Sequence, residues 1–237
     1  MKTWMITGAS RGLGRQLALQ LAARGDEVLA VARDGGRLQA LADEVQRGGG
    51  GGRIQPLVLD LADGASLHRL VGEAIAALPR LDGVINNAGI GAYKPLLEHT
   101  PAELAAVVQV NLTAVMLVCH AVLPKLLAQR GGHIVNIGSD LARRPLANMA
   151  AYVASKHGLA GFTHSLLREV KGQGVKVSLV NPGIIDTGFG GSEEGSRDEA
   201  WSLRPAALAA LVVQLLEQPG SMLVDELTVH PLGQGDF

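Results

Sequence analysis

The chain has a single cysteine, Cys119, which excludes an intramolecular disulfide and any cysteine-rich metal site. It also lacks an excess of charge of either sign: 21 Lys and Arg stand against 22 Asp and Glu, a formal net charge of -1. Without a global basic field, nonspecific nucleic-acid binding is not expected. The seven histidines show neither HExxH nor paired-ligand spacing, and His157 reads as a neighbour of Lys156 rather than a ligand, so no metal is expected. Charged residues make up only 18% while hydrophobic residues reach 47%, which excludes a disordered chain. No internal repeat or interdomain linker interrupts the 237 residues, so the expectation is one domain over 1–237. Met1 leads straight into a strand-like run ending at Thr7, so no secretory leader is expected and the chain reads as cytoplasmic.

Leu104–Pro124 has 21 residues without Asp, Glu, Lys or Arg, enough to span a bilayer by length. Gln109, Asn111, Thr113 and His120 are spread along it, and such groups are costly in lipid but easily satisfied inside a protein. No membrane span is expected; the run reads as a buried or subunit-contacting helix.

Strand-length hydrophobic runs alternate with longer helix-like segments, the pattern of a mostly parallel sheet covered on both faces. Strands are expected at Trp4–Ile6, Glu27–Ala32, Gln55–Leu59, Gly83–Ile85, His133–Ile137, Lys176–Val180 and near Leu223–Val229. Helices are expected after the loop at 8–14 through about Arg24, then at Leu38–Gln46, Ser66–Leu78, Pro101–Ala128, Tyr152–Val170 and Pro205–Glu217. Five glycines, Gly48–Gly52, read as a connector. Residues 188–200 hold four glycines, two serines and four acids, a composition expected of a mobile substrate loop.

Thr7–Gly14 reads T-G-A-S-R-G-L-G between the first strand and first helix. A backbone without Cβ atoms can bring its amides near a pyrophosphate, and a helix N-terminus adds positive potential. The spacing G-x-x-x-G-x-G is neither the G-x-G-x-x-G fingerprint nor a Walker loop, so its position at the first βα junction carries the nucleotide-binding reading. Dinucleotide sites usually place an acid after the second strand to bind the ribose hydroxyls. Here Arg33 follows Ala32, and Arg11 sits in the glycine loop. Two guanidinium groups suit a 2′-phosphate, which points to NADP(H) over NAD(H).

Tyr152 and Lys156 share one face of a helix, where an ammonium beside a phenol would lower the phenol pKa. Ser139, Asn87 and Pro182-Gly183 follow predicted strand ends, and the carboxyl edge of such a sheet lines its ligand crevice. With T-G-A-S-R-G-L-G, Asp60-Leu61, N-N-A-G at 86–89, Asn111, Ser139, Y-V-A-S-K at 152–156 and N-P-G followed by Thr187, the chain resembles the short-chain dehydrogenase/reductase family over essentially its full length.

The resemblance implies a single-domain, doubly wound Rossmann-type α/β fold with seven strands and helices on both faces. It also implies hydride transfer between a nicotinamide and a carbonyl or alcohol. Tyr152 would be the general acid/base, Lys156 would hold the nicotinamide ribose and lower the Tyr152 pKa, and Ser139 would bind the substrate oxygen. Asn111 would bend its helix and keep a water in a relay to Lys156. The cofactor would meet Gly8, Ser10, Arg11, Gly12, Leu13, Gly14, Arg33, Asp60, Leu61, Asn87, Ala88, Gly89, Pro182, Gly183, Ile185 and Thr187, besides Tyr152 and Lys156. Gly138 departs from the family, whose members commonly carry a second serine there. Many members pair subunits through the helices at 101–128 and 152–170, implying a homodimer or homotetramer. The expected activity is NADPH-dependent reduction of a carbonyl substrate; the alternatives are an NAD-dependent alcohol dehydrogenase and a noncatalytic cofactor-sensing protein of the same fold.

Overall fold

The computed structural model describes residues 1–235. Seven strands, β1 (Thr3–Thr7), β2 (Glu27–Ala32), β3 (Arg53–Val58), β4 (Gly83–Asn86), β5 (Gly132–Ile137), β6 (Val175–Pro182) and β7 (Glu226–Val229), form one sheet. Their order is β3-β2-β1-β4-β5-β6-β7, and every neighbouring pair is parallel. The expected "mostly parallel" sheet is therefore fully parallel among the described residues. Pro56, which cannot donate to a ladder, is tolerated because β3 lies at the sheet edge.

Among the described residues, seven α-helices cover the sheet: α1 (Gly12–Ala23), α2 (Gly35–Gly48), α3 (Gly64–Ala77), α4 (Pro101–Val108), α5 (Ala114–Ala128), α6 (Ala150–Val170) and α7 (Pro205–Leu216). Side chains alternate across the strands and so build two cores. Trp4, Ile6, Val28 and Ala30 pack with Leu17, Leu38 and Val212 on the face of α1, α2 and α7. Met5, Leu29 and Val31 pack with Leu67, Val118 and Leu159 on the face of α3, α5 and α6.

Two carboxylates pin the amino end of the central strand β1. Asp26 accepts from the Lys2 amide at 2.8 Å and from the Trp4 indole at 3.0 Å, and Asp82 accepts from the Thr3 amide at 2.8 Å. The carboxyl end of β1 runs directly into the glycine loop.

Most element bounds fall within two residues of the sequence pattern, and three elements differ by more. First, α2 begins three residues earlier than expected, because the Asp34 carboxylate accepts from the Arg37 amide and caps it. Gly49, in the left-handed region at φ 66°, ends it. Second, the expected helix at 101–128 is two α-helices joined by a wide π-turn, Gln109–Thr113, centred on Asn111. Third, the final strand is only Glu226–Val229, since pairing with β6 starts at Leu179↔Glu226. The apolar Pro101–Ala128 stretch is long enough to cross a membrane, yet Val107, Val115, Val118, Val122 and Leu126 are buried within the fold.

Candidate active site

All seven described strands end on one side of the sheet, and the segments leaving them surround a cavity of about 650 Å³. Strand order reverses between β1 and β4, which is where a doubly wound sheet opens its crevice. Of the residues expected to form the site, all but Gly14 and Asn111 line this cavity.

The glycine loop crosses the floor. Gly8 and Gly12 have φ of +70° and +52°, and a Cβ on Gly8 would stand 2.9 Å from the Ala88 backbone. Gly14 faces inward instead, where a Cβ would lie 2.3 Å from the Gly8 carbonyl; it lets α1 pack against the loop. Asn87 braces the same corner by donating to the carbonyls of Thr7 (3.0 Å) and Gly8 (3.3 Å). The Thr7 hydroxyl accepts from the amides of Asn87 and Ala88, each at 3.1 Å.

α2 and α3 begin on the capping carboxylates of Asp34 and Asp63, whereas α1 has no side-chain cap and no acid in its first turn. Its amino end therefore offers backbone donors and positive potential to the cavity, which fits an anionic pyrophosphate. Arg33 lines the cavity after β2, while the adjacent acid, Asp34, is occupied as the α2 cap. The Arg11 guanidinium lies beside Gly188, on the loop after β6; a Cβ on Gly188 would be 3.3 Å from it. Asp60 accepts from the Ala62 amide at 2.9 Å and, with Leu61, closes the end of the cavity past β3.

At the other end, α6 presents Tyr152 and Lys156, both buried, toward Ser139. The expected lowering of the Tyr152 pKa by Lys156 is not found. Burial holds the phenol well above its usual value, with Tyr93 and Asp140 adding to the effect, and a hydrogen bond with Ser139 only partly opposes it. The Lys156 Nζ donates to the Ile137 carbonyl at 2.8 Å and lies 5.7 Å from the Tyr152 ring centroid. Its own burial depresses its pKa to about 8.

Asn111 stands behind the cavity, fully buried. It accepts from the Ile90 amide (2.8 Å) and donates to the Ile90 carbonyl (2.9 Å) and the Ser155 hydroxyl (3.1 Å). Its side-chain amide is thus spent on fixing the β4 loop to α6, and both of its donor hydrogens are taken. Asn111 lies at the centre of the π-turn that interrupts its helix.

Several functional positions were not foreseen from the sequence. Tyr93 and Phe189 surround the Tyr152 ring, with centroid distances of 5.8 Å and 5.9 Å. Burial pushes the Tyr93 phenol up to about 12. The substrate end is otherwise apolar, with Ile90, Val110, Leu141, Leu146 and Met149. Asp140, Arg197 and Gln234 supply its charge and polarity. Tyr93 was detectable as the chain's only other tyrosine, just past the N-N-A-G run, and Asp140 as the neighbour of Ser139.

The loop at 188–200 is joined to the strand end before it through Asp186. The buried Asp186 carboxylate accepts from the amides of Gly195 (3.1 Å) and Arg197 (3.3 Å) and pairs with Arg204. Trp201 is half exposed and does not line the cavity, and Arg143 is paired with Glu226 rather than facing a ligand. Cys119 is buried against Asn86 in the second core, its thiol pushed up to about 12 by burial.

The family model described as short chain dehydrogenase matches residues 2–197. The 3-oxoacyl-[acyl-carrier-protein] reductase FabG of Escherichia coli (strain K12) is 36% identical over 186 residues, 78% of this chain and 74% of that protein. Among solved structures, the alcohol dehydrogenase of the archaeon Thermococcus sibiricus, complexed with 5-hydroxy-NADP, superposes with a TM-score of 0.93 at 30% identity. The match covers 100% of this chain and 99% of that one. A metagenomic short-chain oxidoreductase in complex with NADP gives 0.84 at 34% identity, covering 97% of each chain.

Proposed function

This chain belongs to the short-chain dehydrogenase family and is an NADP(H)-dependent oxidoreductase of carbonyls and alcohols, and we propose that Tyr152 moves its proton at the substrate oxygen. The arrangement of Ser139, Tyr152 and Lys156 at one end of a cavity whose other end is an uncapped helix N-terminus carries this reading.

The bound cofactor supplies or accepts the hydride. The amides at the start of α1 would hold its pyrophosphate, and Arg33 would hold its 2′-phosphate, with Arg11 contributing from the glycine loop. Asp60 and Leu61 would meet its adenine, Asn87, Ala88 and Gly89 its adenosine side, and Ile185 and Thr187 its carboxamide; all line the same cavity.

A phenol held above its ordinary pKa stays protonated through neutral pH, the form that carbonyl reduction requires. Tyr152 donates that proton to the oxygen as negative charge develops there. Ser139 holds the same oxygen, and the Lys156 ammonium stabilises the phenolate left behind. The surrounding Ile90, Tyr93, Leu141, Leu146, Met149 and Phe189 favour a substrate with an apolar body and exclude water from the proton transfer.

The protein works as a homodimer or homotetramer in the cytoplasm. Val108 and Met116, exposed along α4 and α5, support the subunit contact, and a monomer by light scattering at micromolar concentration would refute it.

The deciding experiment is nicotinamide fluorescence titration with NADPH and NADH, followed by turnover of carbonyl compounds by wild type and Tyr152→Phe. Tighter NADPH binding is expected, with the variant losing about 10²–10⁴-fold in kcat while its NADPH affinity holds. Equal affinity for NADH would overturn the cofactor preference. Unchanged turnover in the variant would overturn the mechanism.

A further inference from the structure

We infer that Gln234, in the tail beyond β7, is a positioning residue that governs the Ser139 hydroxyl through Asp140. The inference rests on the reading of Ser139 as the group that holds the substrate oxygen.

Asp140 directly follows Ser139 and is buried. Its Oδ1 accepts from the Ser139 hydroxyl at 3.1 Å, while the Ser139 oxygen accepts from the Leu141 amide at 3.2 Å. Its Oδ2 accepts from Gln234 Nε2 at 2.7 Å and lies 3.4 Å from His230 Nε2. Gln234 Oε1 in turn accepts from the Ile184 amide at 3.0 Å. One primary amide therefore spans the loop after β5 and the loop after β6, the two walls of the reactive end. A primary amide is suited to this because it donates to a carboxylate and accepts from an N–H at the same time without carrying charge.

The backbone is cut to admit the tail. A Cβ on Gly183 would lie 2.1 Å from Gln234 Oε1, so residue 183 must be glycine for the amide to seat. A Cβ on Gly233 would lie 2.4 Å from the Ala200 carbonyl, and without it the Gly233 amide donates to that carbonyl at 2.8 Å. The tail thus also fastens the substrate loop.

Asp140 and a bound carbonyl compete for the same Ser139 proton. A carboxylate satisfied on Oδ2 by Gln234 holds that proton less strongly on Oδ1, so the hydroxyl turns toward the substrate oxygen as charge builds there. Removing the amide leaves Asp140 to draw the Ser139 proton to itself and releases Ile184. This predicts a loss in kcat rather than in ground-state binding.

Two variants and one physical measurement test it. Gln234→Met keeps the bulk and deletes both hydrogen bonds. It should lower kcat about 10–100-fold, the equivalent of one or two charge-assisted hydrogen bonds, with KM for the carbonyl and the NADPH Kd within about twofold. Gln234→Glu keeps the acceptor for Ile184 but can donate to Asp140 only while protonated. Its kcat should approach wild type at acid pH and fall as the introduced carboxyl ionises, a limb the wild type lacks. The titratable groups facing this point, Asp140, His230 and Tyr152, are common to both proteins. Hydrogen–deuterium exchange over 183–187 should quicken in Gln234→Met. Wild-type kcat in both variants with no new pH limb overturns the inference, as does unchanged exchange at Ile184. A wild type that reduces no carbonyl defeats the functional reading instead, and the exchange measurement still decides whether the latch exists.

Discussion

Asn181 Oδ1 accepts from the Ser139 backbone amide at 3.2 Å and occupies the space that any side chain at position 138 would need. A Cβ on Gly138 would lie 2.1 Å from that oxygen. A side chain at position 138 would therefore require the Asn181 amide to move. Asn181 also donates to Glu226 at 2.7 Å, so it links the loop after β5 to the edge strand β7.

Gly138→Ser should displace Asn181 and loosen Ser139. Overpacking of this kind costs about 1–3 kcal/mol, expected as a drop in Tm of roughly 3–10 °C together with reduced kcat. Because the clash is with one side chain, adding Asn181→Ala should cost less than the sum of the single changes. Strict additivity in thermal melts of the four proteins would show that the clash is not the cause.

The reductive rate should fall as pH rises through about 8. Lys156 is needed as an ammonium to receive the developing phenolate, and its burial sets its pKa near that value. The pH profile of kcat/KM for NADPH reports groups of the free enzyme, so the decline should appear there, with a plateau below. A profile flat to pH 10 would mean that Lys156 acts only by holding the ribose.

Arg33→Ala should weaken NADPH about 10–100-fold and leave NADH nearly unchanged, because the lost charge-assisted contacts reach only the 2′-phosphate. Arg11→Ala should give a smaller change in that ratio, since its guanidinium lies toward Gly188. Equal losses for both cofactors in Arg33→Ala would place Arg33 elsewhere on the nucleotide.

Acid should destabilise the fold between about pH 6.5 and 4 through His133. This residue is buried on β5, its Nε2 2.7 Å from the Ser178 hydroxyl, which itself donates to the Val224 carbonyl. Ser178 therefore receives the His133 N–H, and the ring is held neutral. Burial, with Lys176 and Lys2 nearby, lowers its pKa to about 4. The unfolded chain binds a proton near pH 6.5 that the folded chain refuses until about pH 4. Stability is thus full above the first value and falls toward the second, by roughly 2–3 kcal/mol. His133→Gln should flatten that part of the urea-stability curve; an unchanged slope would assign it to other groups.

Much of the site was legible because its pieces are local. The glycine loop, N-N-A-G, Ser139, the Tyr152–Lys156 pair and N-P-G each follow a strand end or open a helix, so the alternation of elements carries them to one edge. What escaped depends on contacts distant in sequence. Gln234 meets Asp140 across 94 positions, and the π-turn at Asn111 is held by Ile90 from the β4 loop, neither of which leaves a local pattern. The Tyr152 pKa was misjudged for a related reason: spacing shows that Lys156 shares its helix face, but not how deeply both are buried. Asp34, next to Arg33, caps α2 through a hydrogen bond with the Arg37 amide, a contact that residue spacing alone does not specify.

The pinning of β1 by Asp26 and Asp82 divides the labour of a single five-residue strand. Its amino end is anchored by carboxylates that touch nothing in the cavity, and its carboxyl end delivers the glycine loop with no anchor of that kind. Substitutions at the carboxyl edge can therefore revise which molecule is handled while the strand keeps its register, whereas substitutions at Asp26 or Asp82 would erode the scaffold without changing selectivity. A search for altered substrate preference in this chain has its freedom at Tyr93, Leu146, Met149 and Phe189, and its reserve of tolerance at the opposite end of the sheet.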